Sequence, residues 1–407
     1  MLTVLHTGDW HIGPNAETRK ETVRCVSVLL DEAERNPPVV IIIAGDTLDE
    51  LQGRIMLDSE AARAAIDLVE RAANIAPVVM VRGTKSHDRE SPGIFRHLRT
   101  RHPILVASEP KHVLLCRSAP DGAFFFTVAD GKSHAEIVAA FTLLPSIDKA
   151  WVAATFPDGI REGNAHYREL LHDLLGGFGL MNEPLSCPRI LVGHGMVTGA
   201  CFSTGQEAIG EDLEFGVDTL RAARCDYVAL GHVHKFQTFG KEIAYCGSPG
   251  RLNFGEKEEK GALLVDVERG QDPVLRFVPT PARRFVFAEV EWNGREDIDA
   301  EVARVESECS GAHVRVRYTI PEANRHEISR AEIEARLLAA GAVVVKVEAQ
   351  IIPTTRQRAA GISKAASFPE KVLRWGDATG IDIPPRVMEI ARVIEGLSVE
   401  ELKGRFP

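Results

Sequence analysis

The sequence predicts an α/β protein: a layered core of sheets flanked by helices, then a small α/β cap domain and a helical C-terminal tail. Three observations carry that prediction. Apolar runs of strand length (Val4-Leu5, Val39 to Ile43, Val78 to Val81, Ile190 to Val192, Tyr227 to Leu230) alternate with stretches of helical period from residue 1 to about 235. The runs are nearly continuous in apolar residues, as parallel strands covered on both faces are. Each is followed by glycine and then by Asp or His, a pattern that core packing does not require.

The elements follow in order. Residues 17–34 have helical period, with Cys25, Val28, Leu29 and Ala33 on one face. A second helix is expected over 55–74, stopped before Pro77. In the middle, 123–128 and 137–143 read as strands and 165–175 as a helix. Pro279 and Pro281 interrupt any regular element, so a first domain is expected over 1–280. A cap domain over 283–352 reads as strand 285–292, helix 298–306, strand 314–319, helix 330–339 and strand 343–352. Residues 353–407 read as a polar linker, 353–367, and a helical tail. There Pro384-Pro385 opens a helix with the apolar stripe Val387, Ile390, Ala391 and Ile394.

Composition bounds the function. The chain has 407 residues, 44% of them hydrophobic and 26% charged, ordinary values for a globular protein. No apolar run approaches membrane-span length, and the N-terminus enters a strand without a signal peptide. The 7 cysteines include no C-x-x-C pair and read as free thiols, so a cytoplasmic location is expected. A net charge of −10 argues against a generally basic nucleic-acid coat. It leaves room for a local site whose positive charge comes from metal ions.

The chemistry lies at the strand ends. Asp9 and His11 stand two residues apart, as do His232 and His234, so each pair can point to one side of an extended backbone. With Asp46 and His194 they offer two carboxylates and four imidazoles, more than one ion uses. Two divalent ions sharing a carboxylate fit the set, and mixed imidazole and carboxylate ligands suit Mn2+, Fe2+ or Zn2+ better than Ca2+ or Mg2+, with Mn2+ the expected metal. Such a pair activates a hydroxide and clamps a phosphate, so hydrolysis of a phosphate ester is expected. The glycines before the ligands are expected to permit tight turns. In contrast, Lys257, Glu258, Glu259 and Lys260 read as a solvated turn, and His112 as a surface or loop residue.

The ordered motifs Asp9-Trp10-His11, Gly45-Asp46-Thr47-Leu48-Asp49, Gly83…His87-Asp88, Gly193-His194 and Gly231-His232-Val233-His234 resemble those of the calcineurin-like metallophosphoesterase superfamily. The resemblance covers roughly residues 1–265. Gly247-Ser248-Pro249-Gly250-Arg251, Phe254-Gly255-Glu256 and Lys260-Gly261 are similar to the SbcD-type DNA repair exonucleases within it. The resemblance implies that Asp46 bridges two ions, that Asp9, His11 and His234 complete one site, and that His194 and His232 complete the other. It makes His87 the histidine that protonates or stabilises the leaving oxygen, with Asp49 and Asp88 orienting neighbouring histidines. It further implies DNA as substrate, an SMC-like ATPase, SbcC, as partner of the C-terminal helices, and a homodimer without membrane attachment.

One departure stands out. The family carries asparagine directly before the catalytic histidine, as a ligand of the second metal. Here Ser86 holds that place if the motif is anchored on His87, and Thr84 if it is anchored on Gly83. Three readings follow: a DNA exo/endonuclease, a stand-alone phosphodiesterase or phosphatase on a nucleotide or phosphoprotein, and a binding subunit with a decayed second site. Retention of the other ligands favours an enzyme, and the cap and tail favour the nuclease. Arg82, Lys85 and Arg89 near the site, and Arg356, Arg358, Lys364, Lys371 and Arg374 in the tail, are the basic residues offered to phosphates.

Overall fold

The computed structural model describes residues 1–50, 55–119, 121–128, 135–147, 151, 164–203, 214–353, 361–397 and 401. Much of the expected linker, with Arg356 and Arg358, lies outside the described residues. These residues form two compact units, one of 1–288 with 303–316 and 334–346, the other of 289–302 with 317–333 and 347–407.

The first unit is built on two sheets. One has the order β15 (Val274–Pro279), β14 (Gly261–Val267), β1 (Leu2–Thr7), β2 (Val40–Ile43), β3 (Val78–Val81), β4 (Ile104–Ala107). The other has the order β12 (Gln237–Phe239), β13 (Ile243–Tyr245), β11 (Tyr227–Gly231), β8 (Arg189–His194), β7 (Glu136–Leu144), β5 (Lys111–Arg117), β6 (Phe124–Thr127). Strands β1 to β4 run parallel, as do β7, β8, β11 and β13, and the short β9 (Met196–Val197) and β10 (Glu214–Phe215) pair in parallel with each other.

Side-chain alternation assigns the layers. Val40 and Ile42 pack with Val79, Phe141, Ile190 and Ala229 between the two sheets. Ile41 and Ile43 turn the other way, onto Val26, Leu29 and Leu30 of helix α1 (Ala16–Arg35) and Leu68 and Val69 of α2 (Glu60–Ile75). On the far side, Leu191 and Leu230 pack with Leu171 and Leu175 of α3 (Asn164–Asn182) and Leu220 of α4 (Val217–Arg221). The result is helices, sheet, sheet, helices, the layered arrangement the apolar strands predict. Full burial of each such Val or Ile is worth about 1.5–3 kcal/mol.

Helix α2 starts later than its apolar pattern predicts. Ser59 caps it by accepting a hydrogen bond from Ala62 N–H at 3.2 Å, so residues 55–59 precede the helix. His112 is buried rather than on the surface, its Nε2 2.9 Å from Asn182 Oδ1.

Beyond residue 283 come β16 (Arg284–Val290), α5 (Arg295–Glu308), β17 (Ala312–Pro321), α6 (Arg330–Ala339) and β18 (Val344–Ile352), with sheet order β16-β17-β18. Strand β17 alternates buried and half-buried residues along its whole length, the signature of a sheet covered on one face. The tail supplies α7 (Phe368–Thr379) and α8 (Pro385–Glu395). Ser367 caps α7, and Phe368 N–H donates to Glu395 Oε1 at 2.9 Å, tying the start of α7 to the end of α8. Among the described residues no helix is long and apolar enough to cross a membrane.

Candidate metal centre

Parallel strands bring distant glycine-led turns to one edge. Asp9 and His11 follow β1, Asp46 follows β2, and Thr84, His87 and Asp88 follow β3. From the second sheet, His194 ends β8, and His232 and His234 follow β11. All stand at carboxyl ends of strands, where ligands of such sheets gather. The turns are locked together: Asp9 N–H donates to Gly45 O at 3.0 Å and His11 N–H to Asp46 O at 2.9 Å.

That locking costs backbone strain. Asp9, His11, Asp46 and His232 have φ of 51°, 48°, 45° and 103°, the left-handed region that non-glycine residues avoid. The glycines serve two purposes rather than the single one expected. Gly45 does need its positive φ of 87°. Gly83 does not; a Cβ there would lie 2.1 Å from Asp46 Oδ1, so its role is close approach.

The six candidate ligands converge in two groups, Asp9 with His11 and His234, and Asp46 with His194 and His232, and His11 forms a third with Asp49 and His87, each with one ligand atom per residue within 4.8 Å of the others. His11 Nε2 lies 3.0 Å from His234 Nε2. Asp46 Oδ2 stands between the groups, 3.2 Å from His194 Nε2 and 3.9 Å from His11 Nε2. Asp9 accepts the His232 N–H on both oxygens, at 2.8 and 3.0 Å. All six residues are buried.

Burial decides the charges. It pushes His11 and His232 down to about 3 and Asp9 up to about 6. Burial would also lower His194, but Asp46 and Asp9 outweigh it and raise this imidazole to about 10. Asp46, which burial would raise, is held well below the carboxylate range by His194 and His11. His194 Nδ1 donates to Ala44 O at 2.7 Å, so its Nε2 faces Asp46 and, without a cation, takes a proton. Imidazole nitrogens and carboxylates that depend on protons to share one buried space form a donor set suited to divalent cations.

His87 lies beside this cluster, half-buried, with its ring 4.5 Å from that of His11 and Nδ1 3.0 Å from Asp49 Oδ1. Burial opposes its protonation, yet Asp49 and Asp46 together raise its pKa. Asp88 does not orient a histidine. Its oxygens accept Leu48 N–H at 2.9 Å and Gly83 N–H at 2.7 Å, joining the turns after β2 and β3, and burial raises its carboxyl to about 7.

Of the two positions offered for the asparagine, the structure brings Thr84 to the cluster. Its hydroxyl lies 2.8 and 2.7 Å from the two Asp46 oxygens, and its N–H donates to Oδ1 at 2.7 Å. Ser86 is half-buried in the turn beyond. The basic side chains near the site are partly committed, Arg82 to Glu90 at 2.8 Å and Arg89 to Glu50 at 3.3 Å.

Sequence reasoning missed Glu256 and Lys260. Lys260, read as part of a solvated turn, instead forms a fully buried ion pair with Glu256 at 2.7 Å behind His234. The only signal was the Phe254-Gly255-Glu256 and Lys260-Gly261 resemblance, which gave them no role.

A profile of the calcineurin-like phosphoesterase family matches residues 2–236. Among curated proteins the chain is similar to the SbcD subunit of the SbcCD nuclease of Escherichia coli K12, 26% identical over 281 residues, covering 66% of each chain. That is just under two thirds of the relative's length. The SbcD subunit of Staphylococcus epidermidis is 25% identical over 330 residues, covering 77% of this chain and 79% of that one. That of Rhodobacter capsulatus is 29% identical over 304 residues, covering 69% of each.

Proposed function

The chain belongs to the calcineurin-like phosphoesterase family, and we propose from that membership and the site's geometry that it is a metal-dependent DNA phosphodiesterase, the nuclease subunit of an SbcCD-type pair. The observation that carries the reading is the convergence of two three-residue groups on Asp46, with His87 alongside. Asp9, His11 and His234 would hold one divalent ion, and Asp46, His194 and His232 the other, with Asp46 shared and Mn2+ the favoured metal. When bound, such ions supply a nucleophile at neutral pH and positive charge for the phosphate oxygens.

The residues do the rest. Asp9 and Asp46 are held in place by backbone N–H groups, so the donor set is preorganised. His87, whose pKa Asp49 and Asp46 raise against the effect of burial, would give its proton to the leaving oxygen. Thr84, rather than Ser86, takes the position of the family's asparagine, holding Asp46 through its hydroxyl.

DNA as substrate is supported by the relatives, each named as part of a nuclease. An SbcC-type ATPase as partner agrees with the tail, where Phe368, Leu373 and Trp375 of α7 and Val387, Ile390 and Val393 of α8 are exposed apolar residues. The same reading takes the chain as a homodimer, which light scattering checks.

The test is a cleavage assay with Mn2+ on linear double-stranded, hairpin and single-stranded DNA, against a small phosphodiester. The expected result is DNA degradation that chelator abolishes. A protein that binds two Mn2+ and cleaves only the small ester is a phosphodiesterase of another kind, and the nuclease reading falls.

A further inference from the structure

Lys260 is a fully buried lysine, one of the rarest placements for that residue. Its ammonium has an acceptor for each of its hydrogens: Glu256 Oε2 at 2.7 Å, Glu258 Oε1 at 2.6 Å and the backbone carbonyl of His234 at 2.9 Å. Glu256 is buried as completely. Its Oε2 also accepts Leu252 N–H at 3.3 Å, and its Oε1 lies 3.6 Å from His234 Nδ1. Arg251 fixes the segment by donating to the carbonyls of Glu256 at 2.9 Å and Glu258 at 2.6 Å.

His234 therefore has neighbours on two sides, His11 at 3.0 Å and Glu256 at 3.6 Å. One ring nitrogen, Nε2, faces His11 in the cluster, and the other, Nδ1, faces Glu256. Lys260 grips both the carboxylate facing the ring and the carbonyl of the same histidine. A buried ion pair is weak evidence for stability, since well-packed apolar residues often do as well. Its placement behind a candidate ligand calls for another explanation. A carboxylate behind a metal-binding histidine fixes its tautomer and ring orientation.

Resting on the reading of the cluster as a metal centre, we infer that Glu256, anchored by Lys260, is a positioning residue that keeps the His234 Nδ1 protonated and turns Nε2 into the cluster. Glu256 touches neither substrate nor the reacting atoms; it acts through His234.

The test uses the full chain and Mn2+ alone. Glu256→Gln keeps the shape and removes the charge. Calorimetric titration is expected to show one of two Mn2+ equivalents weakened by about 10- to 100-fold and the other little changed. The 15N shifts of the His234 ring in the metal-free protein should report loss of the Nδ1–H tautomer, a change that a purely structural role would not produce. If Glu256→Gln fails to fold, the double variant Glu256→Leu with Lys260→Met removes the fully buried pair as a unit, and the carboxylate of Glu258, which is only partly buried, keeps its hydrogen bond from Ser203 Oγ at 2.5 Å. The double variant is expected to melt like the wild type without metal and to show the same loss of one equivalent. Wild-type affinity for both equivalents in a folded variant overturns the inference. A wild-type protein that binds no Mn2+ overturns the metal reading of the whole cluster instead, and the two failures are told apart by the wild-type titration.

Discussion

The two halves of the cluster are held by different means. In the half formed by Asp46, His194 and His232, the main supports are backbone and hydroxyl: Ala44 O on His194, Thr84 N–H and Oγ1 on Asp46. In the half formed by Asp9, His11 and His234, His234 instead backs onto a buried side-chain ion pair, Glu256 with Lys260. Their charges differ as well. The first half carries an imidazole raised to about 10, the second a carboxyl raised to about 6. In one half a proton on His194 has to be exchanged for a cation, whereas in the other Asp9 is mostly ionised and His11 neutral at pH 7. The difference teaches that a pseudo-symmetric ligand set can be wired asymmetrically by what stands behind it.

The strongest way to break the comparison is to remove the residue both halves share. Asp46→Ala takes the oxygen that lies 3.2 Å from His194 and 3.9 Å from His11. It is expected to cost both Mn2+ equivalents at least about a hundredfold in affinity, ~3 kcal/mol each, by calorimetry, and to abolish cleavage. Loss of only one equivalent would show that Asp46 serves a single ion. The next effect leaves both halves intact. His87→Ala removes the proton donor beside the cluster and should lower turnover by about 10²–10⁴-fold while two Mn2+ still bind. Turnover within a few-fold of wild type would remove His87 from the mechanism.

Acidification should separate the halves. At His194, raised to about 10, a proton must leave before a cation enters, so affinity in that half should rise by about tenfold per pH unit through the neutral range. Asp9, raised to about 6, is ionised above that pH and protonated below it, so affinity in its half should be flat above pH 6 and fall below it. Titrations from pH 5 to 9 check this, and two parallel pH profiles would refute the asymmetry.

The sequence made one kind of feature legible and hid another. Four of the five glycine-led strand ends placed the six candidate ligands, and the fifth placed His87, because a parallel sheet sends every such turn to one edge. The paired spacing of Asp9 with His11 was visible for the same reason. What stands behind the ligands was not. Lys260 looked like part of a charged, solvated turn because burial of a lysine depends on three acceptors from two segments, and no periodicity encodes them. Asp88 looked like a partner for histidine but caps two backbone N–H groups. Ser86 and Thr84 were equivalent in sequence, and only the path of the turn after β3 separates them. The start of α7 fell where the linker reading ended, at 367, whereas that of α2 was misread because apolar residues precede the cap at Ser59.

The smallest predicted effect concerns that turn. The Thr84 hydroxyl is 2.7 Å from Asp46 Oδ2 and can stabilise the shared carboxylate, but it is shorter than the amide of the asparagine usual in the family. Thr84→Asn would exchange this hydrogen bond for an amide oxygen able to reach the Asp46, His194 and His232 group. The lost bond costs about 1 kcal/mol, and a neutral oxygen ligand should more than recover it. The net expectation is a rise of about fivefold, ~1 kcal/mol, in the affinity of that group's Mn2+ alone. The backbone bond from Thr84 N–H to Asp46 Oδ1 survives the substitution, so the turn should keep its path and the unfolding midpoint of the metal-free protein should hardly move. Calorimetry that finds the affinity of the Asp9 group altered instead would mean that the turn after β3 serves the other half, and the division of the cluster drawn from its contacts would have to be reversed.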